Sequence, residues 1–173
     1  MLSFTVRKPS TPQEFNGAGF SLADRLLNIE RKSILWLRER AVRRRPNPEA
    51  AHLRTGRRVE LEAMFHLRKL GYLIADRRWR TRGLNGDIDL VAWDGDTLAM
   101  VEVKTRTRHD AYSAESTIDE AKRRMLFRMA RAYTRTLPDW EQDRSPVRFD
   151  VVAVYLIGDT VECNLTRNAF RPE

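Results

Sequence analysis

Residues 85–107, NGDIDLVAWDGDTLAMVEVKTRT, constrain the fold more than any other stretch of the chain. Two apolar, β-branched runs flank an Asp-Gly pair, which is the pattern of two antiparallel strands joined by a tight turn. Strands of this composition are buried, yet they carry Asp87, Asp89, Glu102 and Lys104. Burying an unpaired charge is costly, so these four side chains need partners. With Asp94-Gly95 as a two-residue turn, Trp93 pairs with Asp96 and paired residue numbers sum to 189. One face then reads Ile88, Leu90, Ala92, Ala99, Val101 and Val103, all apolar, and faces core. The other gathers Asp87, Asp89, Glu102 and Lys104 at one end, with Val91, Trp93, Leu98 and Met100 beyond. A one-residue slip would mix the two sets.

In this register Asp89 and Glu102 are diagonal neighbours that can converge on one cation. For Mg²⁺ the oxygen distances are about 2.0–2.1 Å. Without a cation, acids this close repel and hold their protons more tightly. Lys104 lies two residues from Glu102 on the same face, beside whatever the cation holds. Such a set suits phosphodiester hydrolysis. The metal polarises the scissile phosphate and its water, and the lysine positions or activates that water. The alternative is a set of ordinary ion pairs, Asp89–Lys104 and Glu102–Lys104, at a sheet end. Asp87 is either a further ligand or a support for the preceding loop.

Around this hairpin the chain reads as helices and further strands. Residues 1–20 are polar with Pro9, Pro12, Gly17 and Gly19, and are read as lacking fixed structure. A basic amphipathic helix is expected over 21–45, with Leu22, Leu26, Leu27, Ile29, Ile34, Trp36 and Leu37 on one half of the wheel. Arg25, Arg31, Lys32 and Arg38 fall on the other half. Pro46 and Pro48 mark a linker, 46–55. The remainder, 56–173, is one domain. It begins with a helix from about Gly56 to Leu70, with Gly71 as its C-terminal stop. A strand at 72–80 comes next, then the hairpin. A third helix starts near Ser116–Thr117, where Thr117 and Glu120 fit a capping box, and ends before Pro138. PDWEQDRSP is read as a loop, RFDVVAVYLI (148–157) as an interior strand and TVECNL as a short last one. The order α-β-β-β-α-β-β implies an α/β fold with a mixed sheet and helices packed on it.

Composition removes several alternatives. One cysteine, Cys163, excludes a disulfide framework and suits a reducing compartment. His52, His66 and His109 lack partners at zinc spacing. No apolar run spans a bilayer and no secretory signal opens the chain, so a cytoplasmic location is expected. There is no P-loop, dinucleotide fingerprint or G-x-S-x-G elbow. Residues 1–58 hold 13 Lys/Arg against 5 Asp/Glu, whereas residues 59–173 hold 19 of each. The net charge of +8 therefore sits in the N-terminal third. This fits either a module that meets a polyanion or a solvated arginine-rich helix.

G-D-I-D-L-V-A followed by V-E-V-K-T-R resembles the core of the PD-(D/E)xK nuclease superfamily. More closely, the chain resembles the YraN-like family of small bacterial proteins, similar to archaeal Holliday-junction resolvases. The likeness runs over about 56–170, through G-R-R-V-E-L-E-A, L-G-Y, the two hairpin motifs, Lys122, R-F-D-V-V-A-V and the terminal N-A-F. It implies a restriction-endonuclease-like mixed sheet flanked by helices, to which the N-terminal basic helix is an addition. It also implies a nuclease that uses Mg²⁺ or Mn²⁺, with Asp89 and Glu102 on the metal and Lys104 completing the catalytic set. Glu60 and Lys122 match supporting family positions, near the metal and near phosphate respectively. Asp87 stands where the family usually has Glu, and Val59 where a glycine is common. Arg106 and Arg108 come after the motif strand and are candidates for phosphate contact. Resolvase-like relatives often act as dimers, so a homodimer is a further expectation.

Three functions stay open on the sequence: a metal-dependent endonuclease acting on DNA, branched or otherwise structured; a non-catalytic nucleic-acid binder that keeps the fold; and an interaction module built on the N-terminal helix.

Overall fold

The computed structural model describes residues 22–43, 50–106, 118–142, 144–158 and 160–171. Its elements are α1 (Leu22–Arg43), α2 (Ala50–Lys69), β1 (Leu73–Trp79), β2 (Ile88–Asp94), β3 (Thr97–Arg106), α3 (Glu120–Thr134), α4 (Asp139–Gln142), β4 (Val147–Ile157) and β5 (Thr160–Phe170). The strands form one mixed sheet in the order β1-β2-β3-β4-β5. All neighbours are antiparallel except β3 and β4, which are parallel. A parallel pair needs a crossover, and α3 lies on it.

Both faces of the sheet are covered. On one, Val59, Leu61, Ala63, Met64, Phe65 and Leu67 of α2 pack on Leu90, Ala92, Ala99, Val101, Val152 and Val154. On the other, Leu126, Met129, Ala130 and Tyr133 of α3 pack on Val91, Leu98, Met100, Phe149, Val151 and Ala153. Ile88 joins this second cluster rather than the face of Leu90 and Ala92 on which the alternation placed it. It pairs with Trp79, the residue after Arg78, which is at φ +51, a left-handed backbone inside β1. Such a residue twists a strand end and re-aims the side chains beyond it. Trp79 accordingly meets Tyr133 of α3 edge-on, with ring centroids 5.1 Å apart.

The hairpin turns one residue later than expected. Asp94 pairs with Thr97 and Leu90 with Val101, so paired numbers sum to 191, not 189. Gly95 takes φ +60 while Asp96 does not go positive, which is the type II′ arrangement with glycine first. The difference of two preserves which residues share a face. It brings Asp89 closer to the position across from Glu102, although the paired ladder itself ends at Leu90 and Val101.

Several element ends differ from the sequence reading. α2 starts at Ala50, so residues 50–55 of the expected linker are helical. Gly56 is tolerated inside the helix at about 1 kcal/mol, less than packing returns. α2 ends as expected: Gly71 is at φ +91 and Tyr72 N–H donates to Leu67 O at 3.0 Å. α3 is capped by Asp119, whose carboxylate accepts from Lys122 N–H at 2.7 Å. Thr117 and residues 1–20 lie outside the described residues. α4 occupies part of PDWEQDRSP, and β5 runs on to Phe170 beyond TVECNL.

α1 packs on α2 in an orientation the wheel did not give. Leu27, Ile34 and Leu35 meet the α2-side core, but Leu26, Ile29, Trp36 and Leu37 are exposed. Arg31, placed on the polar half, turns inward instead. Its Nε and Nη2 donate to the two oxygens of buried Glu62 at 2.6 and 3.0 Å. The buried carboxylate decides the rotation, because leaving it unpaired costs more than exposing a leucine.

At the turn end of the sheet lies a second polar cluster. Asp150 is wholly buried and accepts from Arg148 Nε and Nη2, both at 2.8 Å, and from Asn168 N–H at 2.9 Å. Arg148 Nη2 also reaches Asp94 at 2.7 Å and the Tyr72 hydroxyl at 2.8 Å. Burial pushes Tyr72 up to about 12, so it stays a neutral member of the network. One arginine thus links the start of β1, the hairpin turn and β4.

Candidate active site

At the start of β2 and the middle of β3 the strands present the hairpin acids, and α3 closes over them. Asp89 Oδ2 accepts from the Val103 N–H at 2.8 Å, which fixes the carboxylate against β3. Glu102 is 4% exposed. Lys104 Nζ lies 3.1 Å from its Oε1, and Lys122 Nζ, from the first turn of α3, lies 3.0 Å from its Oε2. The Lys122 approach lacks hydrogen-bond alignment, so Glu102 Oε2 is buried without a hydrogen-bond partner. Glu60, on α2, also keeps a buried oxygen without a partner, while its Oε1 stands 3.7 Å from Arg78 Nε.

The electrostatics arise from this crowding. Burial, then the charge of Glu102, push the Asp89 carboxyl up to about 7. The Val103 N–H and Lys122 pull it down, and Glu60 adds a further upward push. Three acids from three elements therefore influence one another across a space lined by two lysines.

The structure brings together Asp89, Glu102, Lys104, Lys122 and Glu60. Asp87 is held elsewhere: its Oδ2 accepts from Arg80 Nη2 at 2.8 Å, which makes it a support of the 80–87 loop. Arg106 ends β3 and is half-buried, and Arg108 lies outside the described residues. Arg78 was missed. Nothing in D-R-R-W-R distinguishes the arginine that takes the left-handed conformation from its neighbour.

Among the described residues, no three His, Cys, Asp or Glu side chains gather as a metal-ligand group. The donor set nonetheless fits a hard divalent cation. Mg²⁺ commonly takes one or two protein carboxylates and fills its shell with water and substrate phosphate. Asp89 and Glu102 are two such carboxylates, and Oε2 of Glu102 has an ion-pair neighbour in Lys122 but no aligned hydrogen bond.

The fold and the cluster define an α/β protein with a helix-flanked mixed sheet and an acid–lysine set at one sheet end. The chain belongs to the family described as uncharacterised protein family UPF0102, whose model matches residues 59–154 and so contains every residue of the cluster. Relatives within it include a UPF0102 protein of Koribacter versatilis, 43% identical over 72% of this chain and 85% of its own. One from Solibacter usitatus is 42% identical over 71% and 88%, and one from Stutzerimonas stutzeri is 38% identical over 67% and 93%. No helix among the described residues is long and apolar enough to cross a membrane.

Proposed function

We propose that this protein is a metal-dependent endonuclease that hydrolyses phosphodiester bonds in DNA, with branched or structured DNA among the candidate substrates. The carrying observation is that Asp89, which accepts from the Val103 N–H, and the buried Glu102 come together from neighbouring strands, with Lys104 on the Glu102 carboxylate. Two buried acids this close raise the cost of ionising Asp89, and a cation would relieve that cost. Mg²⁺ or Mn²⁺ held by Asp89 and Glu102 would polarise the scissile phosphate and acidify a bound water. Lys104 then positions the attacking water and offsets charge developing on the phosphate. Lys122, at the start of α3, stands ready to leave Glu102 for a phosphate oxygen. Glu60 holds its carboxylate near Asp89 from the α2 side.

A second reading, a nucleic-acid binder without turnover, is favoured by one detail. Lys104 and Lys122 already neutralise Glu102 from both sides. Incubating the purified protein with branched, linear duplex and single-stranded DNA and RNA in Mg²⁺ or Mn²⁺ separates the two. The nuclease reading expects metal-dependent cleavage that drops at least about a hundredfold in Asp89→Ala and in Lys104→Ala. Cleavage unaffected by both substitutions removes this site assignment. Binding without turnover in any metal favours the second reading.

A further inference from the structure

α3 carries a feature that neither the hairpin nor the N-terminal charge explains. It holds Lys122, Arg123, Arg124, Arg128 and Arg131 against one acid, Glu120, and Arg135 caps its C-terminus. This is a local excess inside a stretch, 59–173, whose charges otherwise balance. At 3.6 residues per turn, Arg124, Arg128, Arg131 and Arg135 fall within about 60° of one another on the wheel. The centre of that stripe is opposite the face of Leu126, Met129 and Tyr133, which packs on the sheet. All four arginines are exposed. Arg124 pairs with Glu120 at 3.0 Å, and Arg128, Arg131 and Arg135 make no ion pair among the described residues. Favourable interaction with the helix dipole accounts for Arg131 and Arg135 at the C-terminal end, but not for Arg124 and Arg128.

The stripe starts at the candidate site. Lys122 turns inward to Glu102, and Arg124 begins the outward row two residues later. From Lys122 to Arg135 the helix rises about 20 Å, with an arginine every ~4.5–6 Å from Arg124 onward. A straight row of guanidinium groups without interleaved acids suits a regular line of phosphates, which it meets by charge and by forked hydrogen bonds.

We infer that the outer face of α3 is a backbone-binding ridge for a nucleic-acid duplex, with Arg124, Arg128, Arg131 and Arg135 tracking the phosphates of an arm that leads away from the site. The inference rests on the nucleic-acid reading above and extends it to residues outside the acid–lysine cluster. The ligand chemistry is the phosphate backbone, so sequence preference is not expected along this face.

The test measures binding rather than cleavage. Full-length Arg128→Glu/Arg131→Glu is compared with wild type and with Lys69→Glu/Arg144→Glu, which makes the same charge change at exposed positions off α3. Each is titrated in EDTA against 30-base-pair DNA duplex, RNA duplex and single-stranded DNA over a series of salt concentrations. The α3 variant is expected to bind duplex at least about tenfold more weakly and to lose about two from the slope of log K against log salt, while the control loses much less. A DNA-selective loss identifies a DNA arm and an equal loss on RNA a general duplex ridge; both support the ridge. Equal losses in the two variants, no loss in either, or a loss confined to single strands overturns it. If the double reversal fails to fold, Arg128→Gln/Arg131→Gln is read by the same slope. Wild type that binds through α3 but never cleaves leaves the ridge standing and removes the nuclease. Cleavage with α3-independent binding does the reverse.

Discussion

Gly86 shows what a single residue must satisfy for the site to form. It sits at φ +115, and a Cβ built on it would lie 2.6 Å from Met125 Sδ and 2.9 Å from Met125 Cε. The loop that leads to Asp87 and Asp89 is therefore pressed against α3. Gly86→Ala meets both a backbone that L-residues avoid and a side chain in its way, and is expected to cost about 1–3 kcal/mol. Urea denaturation checks this; an unchanged midpoint would show that the loop relaxes freely. Asp89 gives a second prediction with a sign. Its folded carboxyl is raised to about 7, above the ordinary value of about 3.9. The folded state therefore binds a proton more tightly than the unfolded one. The stability this supplies is complete below about pH 4 and is lost as pH rises through about 7. Asp89→Asn keeps an acceptor for the Val103 N–H but cannot ionise. Relative to wild type it should be more stable by about 1–2 kcal/mol at pH 8 and by little at pH 5. Melting both proteins across that range is the measurement, and a difference independent of pH counts against the raised carboxyl. The identity of these residues was legible in GDID and EVK. The pressure behind Gly86 was not, because Met125 lies far along the chain and only the tertiary fold brings it close.

At the scale of elements, the sequence located the five strands of the sheet and α1, α2 and α3 but read α4 as loop, since periodicity and turn residues are local signals and a single helical turn carries little of either. What it misjudged was register and rotation, which are settled by partners elsewhere. Both Asp94-Gly95 and Gly95-Asp96 supply a residue able to take positive φ, so local chemistry left the turn ambiguous. Asp94 is drawn to Arg148 of β4, and that bond favours the later turn. The rotation of α1 is a similar case. Its wheel has apolar residues on two sides, and Glu62 of α2 selects the side that carries Arg31. Arg31→Ala should therefore cost about 1–3 kcal/mol, below the full range for a buried pair because the arginine is partly exposed. Arg31→Met/Glu62→Met should recover most of that loss. Equilibrium unfolding of the two variants decides the point. If the double variant is no better than the single, Glu62 has a role beyond its pairing.

The whole molecule sets two buried aspartates in opposite conditions at nearby positions of one sheet: Asp150 pairs with Val101, the residue before Glu102. Asp150 receives two bonds from Arg148, one from the Asn168 backbone and one from the Tyr72 hydroxyl, and so joins segments from both halves of the chain. Asp89 has one backbone donor, one lysine and two acids for company. The first arrangement is what a buried charge needs for stability. The second is unfavourable for the fold and useful for holding a cation, in line with the trade-off between stability and function at sites. The same chemical change should then have opposite effects. Asp150→Asn turns an amide N–H₂ toward groups that donate and is expected to lose about 2–4 kcal/mol. Because its bonds run to Arg148 and Asn168 and not to the acid–lysine set, the folded fraction should, on the proposed function, keep most of the wild-type rate of metal-dependent cleavage. Asp89→Asn should unfold later than wild type at pH 8 and cleave nothing. Denaturation midpoints and cleavage rates for the pair test this together. If both variants are destabilised alike, the two aspartates do not differ in the way their hydrogen bonds imply. If Asp89→Asn retains cleavage, the acid is a structural charge and not a ligand.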